Sequence, residues 1–277
     1  MDTRQETRKD SSVRPLAVVT GASSGIGYEL AKVFAKNGFN LLVVAEDASI
    51  VEAGTAFKSF GAEVETVQAD LASYQGVETV YAKIKSMNQP IDAVALNAGV
   101  GVGGAFAETN LKDEINLIQL NIVSLVHLTK RVLPDLIRQG HGRLLFTSSL
   151  AATMPGPYYA VYAASKSFVQ SFAEAIRNEV KEQGITVTAL QPGATETNFF
   201  ERAHMQDTKA GTSKKDDPAV VAQDGFEALM AGKDHVIAGS FMNTVQAKVA
   251  NIATAPQGAA MHASQVKPGS GSTQSKH

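Results

Sequence analysis

Residues 16–27 read LAVVTGASSGIG. An apolar, β-branched run, Leu16–Thr20, passes straight into Gly21, Ala22, Ser23, Ser24, Gly25, Ile26 and Gly27. Such a run favours a strand. The next segment, Gly25–Asn37, places Ile26, Leu30, Val33 and Phe34 on one helical face. The reading is strand, tight glycine turn, helix. Glycines allow the turn and a close backbone approach to a ligand. Unpaired N–H groups of the first helical turn then point into the loop, an anion site suited to a pyrophosphate. The spacing is G-x-x-x-G-x-G rather than the common G-x-G-x-x-G fingerprint. The loop therefore needs its surroundings to support it.

Working outward, the same alternation continues. Strand-like runs are expected at 41–45, 63–68, 91–97, 143–149, 185–191 and 235–238. Helical segments are expected at 49–60, 74–86, 110–138 (as two helices), 159–183, 196–202, 217–230 and 241–252. Strands with few charges, separated by helices, predict a parallel sheet buried on both faces. Right-handed crossovers make it an α/β, doubly wound, Rossmann-type sheet of about seven strands with helices on both faces. No repeat or linker interrupts 15–252. One dinucleotide-binding and catalytic domain is expected over 15–254, between flexible tails at 1–14 and 255–277, the latter on its Gly, Ser, Gln and His content.

Composition narrows the function classes. The chain has 277 residues, 44% of them hydrophobic, enough for a sizeable core. A net charge of −2 gives no general reason to expect nucleic acid or an anionic membrane as partner. Cysteine is absent, which excludes disulfides, thiol nucleophiles and Cys-based metal sites. The first 14 residues lack the apolar core of a signal peptide, and no apolar run approaches a membrane span. The expectation is a cytoplasmic protein.

Two features suggest chemistry. Glu46 and Asp47 stand at the end of the second strand, about 20 residues beyond the glycine loop, where a carboxylate meets the adenosine ribose of a dinucleotide. A carboxylate there accepts from a 2′-hydroxyl and repels a 2′-phosphate. No Lys or Arg lies in the glycine loop. Both facts favour NAD, with NADP as the alternative; Glu46 as a cap of the next helix is the structural alternative. Second, Tyr162 and Lys166 lie one helical turn apart. A nearby ammonium favours a phenolate, so the Tyr pKa is expected to fall from its ordinary value near ~10. Tyr28–Lys32 and Tyr81–Lys85 share that spacing and read as half-buried aromatics with solvated lysines. Only Tyr162–Lys166 follows a Ser-Ser at a strand end and precedes a strand ending in Pro-Gly.

Further motifs fall in a recognisable order. Asp70-Leu71 follows the third strand, and Asn97-Ala98-Gly99 closes the fourth. Asn121 lies in the long helical tract, and Ser149 precedes Tyr162 by 13 positions. Pro192-Gly193 leads to Thr195, with Thr197 as a second candidate. In these residues the chain resembles the short-chain dehydrogenase/reductase family, in its compact single-domain branch, over nearly all of 15–240. The resemblance implies hydride transfer between a nicotinamide and a secondary alcohol or ketone. It makes Tyr162 the general acid/base and gives Ser149 the substrate oxygen. Lys166 would hold the nicotinamide ribose, and Asn121 a water linking Lys166 to solvent. The implied cofactor contacts are Gly21, Ser23, Ser24, Gly25, Ile26, Gly27, Glu46, Asp70, Leu71, Asn97, Ala98, Gly99, Tyr162, Lys166, Pro192, Gly193 and Thr195. No metal is required.

Each residue also has a structural reading. Asp70 suits a helix N-cap, Asn121 a kinked helix, and Ser149 and Asn97 turns. The segments 150–158 and 195–215 and the C-terminus vary in the family; here Met154, Tyr158, Tyr159, Phe199, Phe200 and Met205 suit an apolar substrate or ordinary core packing. The alternative function is a non-catalytic dinucleotide-binding redox sensor, whose sequence mark would be loss of the Tyr or Lys. A homodimer or homotetramer through helices 110–138 and 159–183 is expected by resemblance.

Overall fold

The computed structural model describes residues 14–271. The expected N-terminal tail, apart from Arg14, and residues 272–277 lie outside the described residues. The strands are β1 (Leu16–Thr20), β2 (Asn40–Ala45), β3 (Val64–Gln68), β4 (Ile91–Leu96), β5 (Gly142–Thr147), β6 (Ile185–Pro192) and β7 (His235–Ala238). They form one parallel sheet in the order β3-β2-β1-β4-β5-β6-β7. The helices are α1 (Gly25–Lys36), α2 (Ile50–Lys58), α3 (Tyr74–Ser86), α4 (Leu111–Ile118), α5 (Ser124–Gln139) and α6 (Ala160–Val180). Then come α7 (Phe199–Arg202), α8 (Lys209–Thr212), α9 (Pro218–Met230), α10 (Phe241–Ile252) and α11 (Ala255–Val266).

Side chains of β1 alternate between two cores, as the period of a strand requires. Ala17 and Val19 pack in the core that includes Leu30 and Phe34 of α1, Phe57 of α2 and Phe226 of α9. Leu16 and Val18 pack on the opposite face with Val80 of α3, Val132 of α5 and Val169 of α6. Every residue of β1 is buried, which places it at the sheet centre. Phe34 is wholly buried and meets Phe39 and Phe226 edge-on, each at 5.1 Å. Cutting it to Ala would cost roughly 3–5 kcal/mol.

From β1 the chain winds outward to β3, then returns to β4 beside β1. The direction of winding reverses there, and a crevice opens beyond the carboxyl ends of these two strands. Among the described residues no helix is long and apolar enough to cross a membrane.

Two expectations change. The 110–138 tract does hold two helices, but without a break between them: α4 runs into α5 through a π-helical turn, Gln119–Val123, with Asn121 at its centre. Such turns disturb the regular hydrogen-bond ladder and recur at functional sites. The segment from 255 is not a flexible tail as far as it is described. It forms α11, opened by a capping box in which Thr254 N–H donates to Gln257 Oε1 at 3.0 Å. Val266 anchors it in a third apolar cluster with Tyr159, Tyr162 and Met205.

Candidate active site

The glycine loop is shaped by close backbone contact. Gly21 has φ 67° and Gly25 φ 57°, the left-handed region that favours glycine. A Cβ on Gly27 would lie 2.0 Å from the Gly21 carbonyl oxygen and 2.5 Å from Asn97 Nδ2. Asn97 braces this arrangement: its N–H donates to Thr20 Oγ1 at 2.9 Å, its Nδ2 donates to Thr20 O at 3.2 Å, and its Oδ1 accepts from Thr147 Oγ1 at 3.1 Å. It thereby ties the ends of β1, β4 and β5 together. The Ser24 side chain does not cap α1, and the first turn carries no acidic residue. The N–H groups there remain suited to an anion.

One cleft runs from this loop across the strand ends. Gly21, Ser23, Ser24, Gly25, Ile26 and Gly27 line its start. Glu46, Asp47, Asp70 and Leu71 line it at the ends of β2 and β3, and Asn97, Ala98 and Gly99 at the end of β4. Ser149, Tyr162 and Lys166 follow, with Pro192 at the end of β6 and Gly193, Thr195 and Thr197 beyond it. Asn121 is the exception. It sits behind the cleft, 1% exposed, with Oδ1 accepting from Val100 N–H at 2.9 Å. Its Nδ2 donates to Val100 O at 2.9 Å and Ser165 Oγ at 3.1 Å. A Cβ on Gly99 would come within 3.1 Å of Asn121 Oδ1 and 3.4 Å of Lys166 Nζ. Glycine at 99 lets these two side chains meet at one point of backbone.

Several structural alternatives resolve at this level. Ser73, not Asp70, caps α3, since Ser73 Oγ accepts from Gly76 N–H at 3.0 Å. Asp70 Oδ1 accepts from Ala72 N–H at 2.8 Å. Glu46 caps nothing: α2 starts at Ile50. Asp47 is the residue tied in, accepting from Ser23 Oγ at 2.8 Å and from Ser49 Oγ. The Ser49 bond, joined by that of Ser23, holds its carboxyl below the ordinary value. Thr195 Oγ1 donates to Gly193 O at 3.0 Å. Thr197, rather than Thr195, meets the glycine loop: a Cβ on Gly25 would lie 3.0 Å from its Cγ2.

Around Tyr162 the chain builds a buried polar pocket. Strand β5 ends at Thr147, so both serines lie in the turn beyond it. Ser148 Oγ donates to the Lys166 carbonyl at 3.1 Å. Ser149 Oγ accepts from Ala151 N–H at 3.1 Å. Lys166 Nζ donates to Thr147 O at 2.8 Å and lies 5.8 Å from the centre of the Tyr162 ring. Burial pushes Lys166 down to about 8. Burial likewise pushes Tyr162 up to about 12, with the Ser149 hydroxyl acting in the opposite direction. The shift is therefore opposite in direction to the expected lowering of the tyrosine. Desolvation of the phenolate is its main cause, and the Ser149 hydroxyl opposes it only in part.

The two other Tyr–Lys spacings are structural. Lys32 pairs with Glu29 at 2.9 Å. Tyr81 and Lys85 both bond Asp135 of α5, at 3.0 and 3.2 Å.

The substrate side of the cleft holds Phe199, expected from the sequence to suit an apolar substrate, and further residues that the sequence pattern did not single out. Phe199 lies 5.0 Å from the Tyr162 ring, and a Cβ on Gly101 would meet it at 2.5 Å. Leu150 and Ala151 also line this side, as do His262, Gln265 and Val266 of α11. The signal for the last three was the Thr254-x-x-Gln257 capping pattern with Pro256 in the first turn.

Comparison with known proteins agrees with this geometry. The family model described as short chain dehydrogenase matches residues 15–208. The chain is 29% identical over 263 residues to dehydrogenase/reductase SDR family member 7B of Rattus norvegicus, covering 90% of this chain and 81% of that protein. Its fold is similar to a short-chain dehydrogenase from Sphingobium yanoikuyae in complex with NADPH, with TM-score 0.75 and 27% identity over 80% of this chain and 87% of the other. A bulky-bulky ketone specific alcohol dehydrogenase from Comamonas testosteroni gives TM-score 0.72 and 26% identity, covering 80% and 85%. The chain belongs to the short-chain dehydrogenase/reductase family, oxidoreductases that act on CH–OH groups with NAD or NADP.

Proposed function

We propose that this protein interconverts a secondary alcohol and a ketone, with NAD as preferred cofactor and Tyr162 as general acid/base. The observation that carries the proposal is Tyr162 and Lys166, both buried, in one cleft with Ser149 and the glycine loop. The residues present fit a dinucleotide. The turn at α1 offers uncapped N–H groups to phosphate, Glu46 a carboxylate to the adenosine ribose, and Lys166 its ammonium to the other ribose. A bound nicotinamide supplies or accepts the hydride.

The rest is the work of the side chains. At neutral pH Tyr162 is a phenol, since burial holds it up near about 12. It gives its proton to the carbonyl oxygen as the ketone is reduced, and takes it back in the oxidation direction. Ser149 orients that oxygen. The Thr147 carbonyl fixes Lys166, and the remaining N–H donors of the ammonium have no acceptor among the described residues. Asn121 positions the 99–100 backbone against Lys166.

Glu46 supports NAD: its carboxylate has no hydrogen-bond partner among the described residues and faces the cleft. The apolar and aromatic lining, Phe199, Phe200 and Met205 included, suits a hydrophobic ketone. Exposed Leu111, Ile115, Val123 and Phe168 on α4, the π turn and α6 support a homo-oligomer through these helices. The test is a panel of ketones and secondary alcohols assayed with each nicotinamide cofactor by absorbance of the reduced form. Cofactor-dependent turnover of at least one hydrophobic ketone is expected; binding of cofactor without turnover across the panel would favour a sensor.

A further inference from the structure

The C-terminal helix α11 carries His262 into the substrate side of the cleft. The imidazole meets Tyr159 edge-on at 5.7 Å, and Tyr159 stacks on Tyr162 at 5.8 Å. His262 is thus two rings removed from the proposed acid/base. Its Nδ1 lies 3.1 Å from the Pro155 carbonyl oxygen. A carbonyl only accepts, so Nδ1 carries the proton and donates. Burial pushes the imidazole below its ordinary pKa, and the neutral ring then has a bare lone pair at Nε2. That nitrogen has no partner among the described residues.

The helix that presents this lone pair is held at both ends. Gly258 packs on Met154, where a Cβ would lie 2.8 Å from the sulfur. Beyond α11, Gly269 N–H donates to Asp207 Oδ2 and Gly271 N–H to Asp207 O, each at 2.7 Å. Lys209 N–H donates to Ser270 Oγ at 3.0 Å. The strap therefore joins the loop after Ser149 to the segment around α8. An acceptor held so firmly loses little entropy on binding. Of the polar side chains on this side, Arg202, Ser213 and Gln265 are exposed, whereas His262 is half-buried and Tyr159 buried. Tyr159, which the imidazole meets, belongs to an apolar cluster that also holds Ala151 and Val266.

We propose that His262 determines substrate specificity: its Nε2 accepts a hydrogen bond from a hydroxyl at the far end of an otherwise apolar ketone or alcohol. The inference rests on the oxidoreductase reading above and extends it to the class of substrate, a hydrophobic carbonyl compound with a distal donor. A site built with an unpaired acceptor rejects the analogue that lacks the donor.

The test compares benzylacetone with its para-hydroxy derivative, which differ in one hydroxyl. Wild type, His262→Asn and His262→Phe are compared. Asn keeps a donor toward Pro155 but, being shorter, places no acceptor where Nε2 stands; Phe keeps the ring and has neither donor nor acceptor. KM and kcat are measured with NADH, and ketone affinity for the NAD-bound enzyme by calorimetry, which needs no turnover. NADH affinity and thermal unfolding report on the fold. Wild type should favour the hydroxylated ketone by about tenfold in KM and affinity, the worth of one hydrogen bond, with little change in kcat. Both variants should lose that preference while binding NADH like wild type. A preference that persists in folded variants overturns the proposal. So does equal binding, or no binding, of the two ketones to wild type. If the binding preference and its loss hold without any turnover, the role of His262 stands and the oxidoreductase reading fails. If both ketones turn over without preference, the oxidoreductase reading stands and the role of His262 fails.

Discussion

The Lys166 ammonium stands 5.8 Å from the centre of the Tyr162 ring and is anchored by the Thr147 carbonyl at 2.8 Å. Both side chains are more than nine-tenths buried. Burial disfavours each charged form, so the phenol rises to about 12 and the ammonium falls to about 8. At neutral pH the site therefore holds an uncharged Tyr162 near a cation that sheds its proton more readily than an exposed lysine.

This gives a signed pH prediction. Lys166 binds its proton less tightly folded than unfolded, where its ordinary value is 10.5. Between about pH 8 and pH 10 the unfolded chain therefore carries the extra proton, and stability contributed by this residue rises with pH. Above about pH 10 Tyr162 opposes it, because the folded protein keeps the phenol proton that the unfolded chain releases. Lys166→Met should remove the rise between pH 8 and 10 in denaturant unfolding, relative to wild type. It should also lower turnover by about 100-fold or more. Parallel stability curves for the two proteins would contradict the buried cation.

The glycine loop predicts a binding defect with little loss of fold. A methyl on Gly27 would lie 2.0 Å from the Gly21 carbonyl, so the loop must open. Gly27→Ala should weaken NADH binding by about tenfold or more in fluorescence titration, with kcat less affected than KM. Unchanged affinity would show that the loop does not hold the phosphates.

Cofactor choice turns on Glu46. Wild type should bind NADH more tightly than NADPH, by roughly tenfold at low ionic strength, because a carboxylate near a 2′-phosphate repels it. Glu46→Gln should narrow the gap, and added salt should narrow it in wild type alone. Tighter NADPH binding by wild type would overturn this assignment.

Asp135 links α3 to α5 through Tyr81 and Lys85, and Arg138 donates to it at 2.7 Å. Burial raises its pKa, but the hydrogen bonds from Arg138, Lys85 and Tyr81 outweigh that effect and the net shift is downward. Its contribution is present above the unfolded pKa and lost as pH falls through the folded one. Asp135→Asn should cost roughly 1–3 kcal/mol at neutral pH, less in acid, by thermal or denaturant unfolding. An equal loss at pH 3 and pH 7 would contradict a charged Asp135.

The parts of this molecule carried by local pattern were legible in the chain. The alternating strands predicted the doubly wound sheet, because the inner strands are buried on both faces and so carry few charges. The glycines of 21–27 and the Tyr162–Lys166 spacing lead to one cleft because both lie at the carboxyl ends of parallel strands. What depended on three-dimensional surroundings was not legible. Spacing alone made Lys166 an acidifier of Tyr162; burial, invisible in an i, i+4 pattern, reverses the sign. Asn121 read as the holder of a water beside Lys166 or as part of a kinked helix; the π turn and its bonds to Val100 have no signature in the chain. Residues 255–266 read as tail because the stretch 255–277 is rich in Gly, Ser, Gln and His. Small residues are what let α11 lie close over Met154.

The most direct test is Tyr162→Phe, which removes one oxygen from a buried ring. NADH affinity should stay within about twofold of wild type, while turnover of a hydrophobic ketone falls by about 1,000-fold or more. Turnover retained at the wild-type level, with the same ketone and cofactor, would contradict Tyr162 as the acid/base.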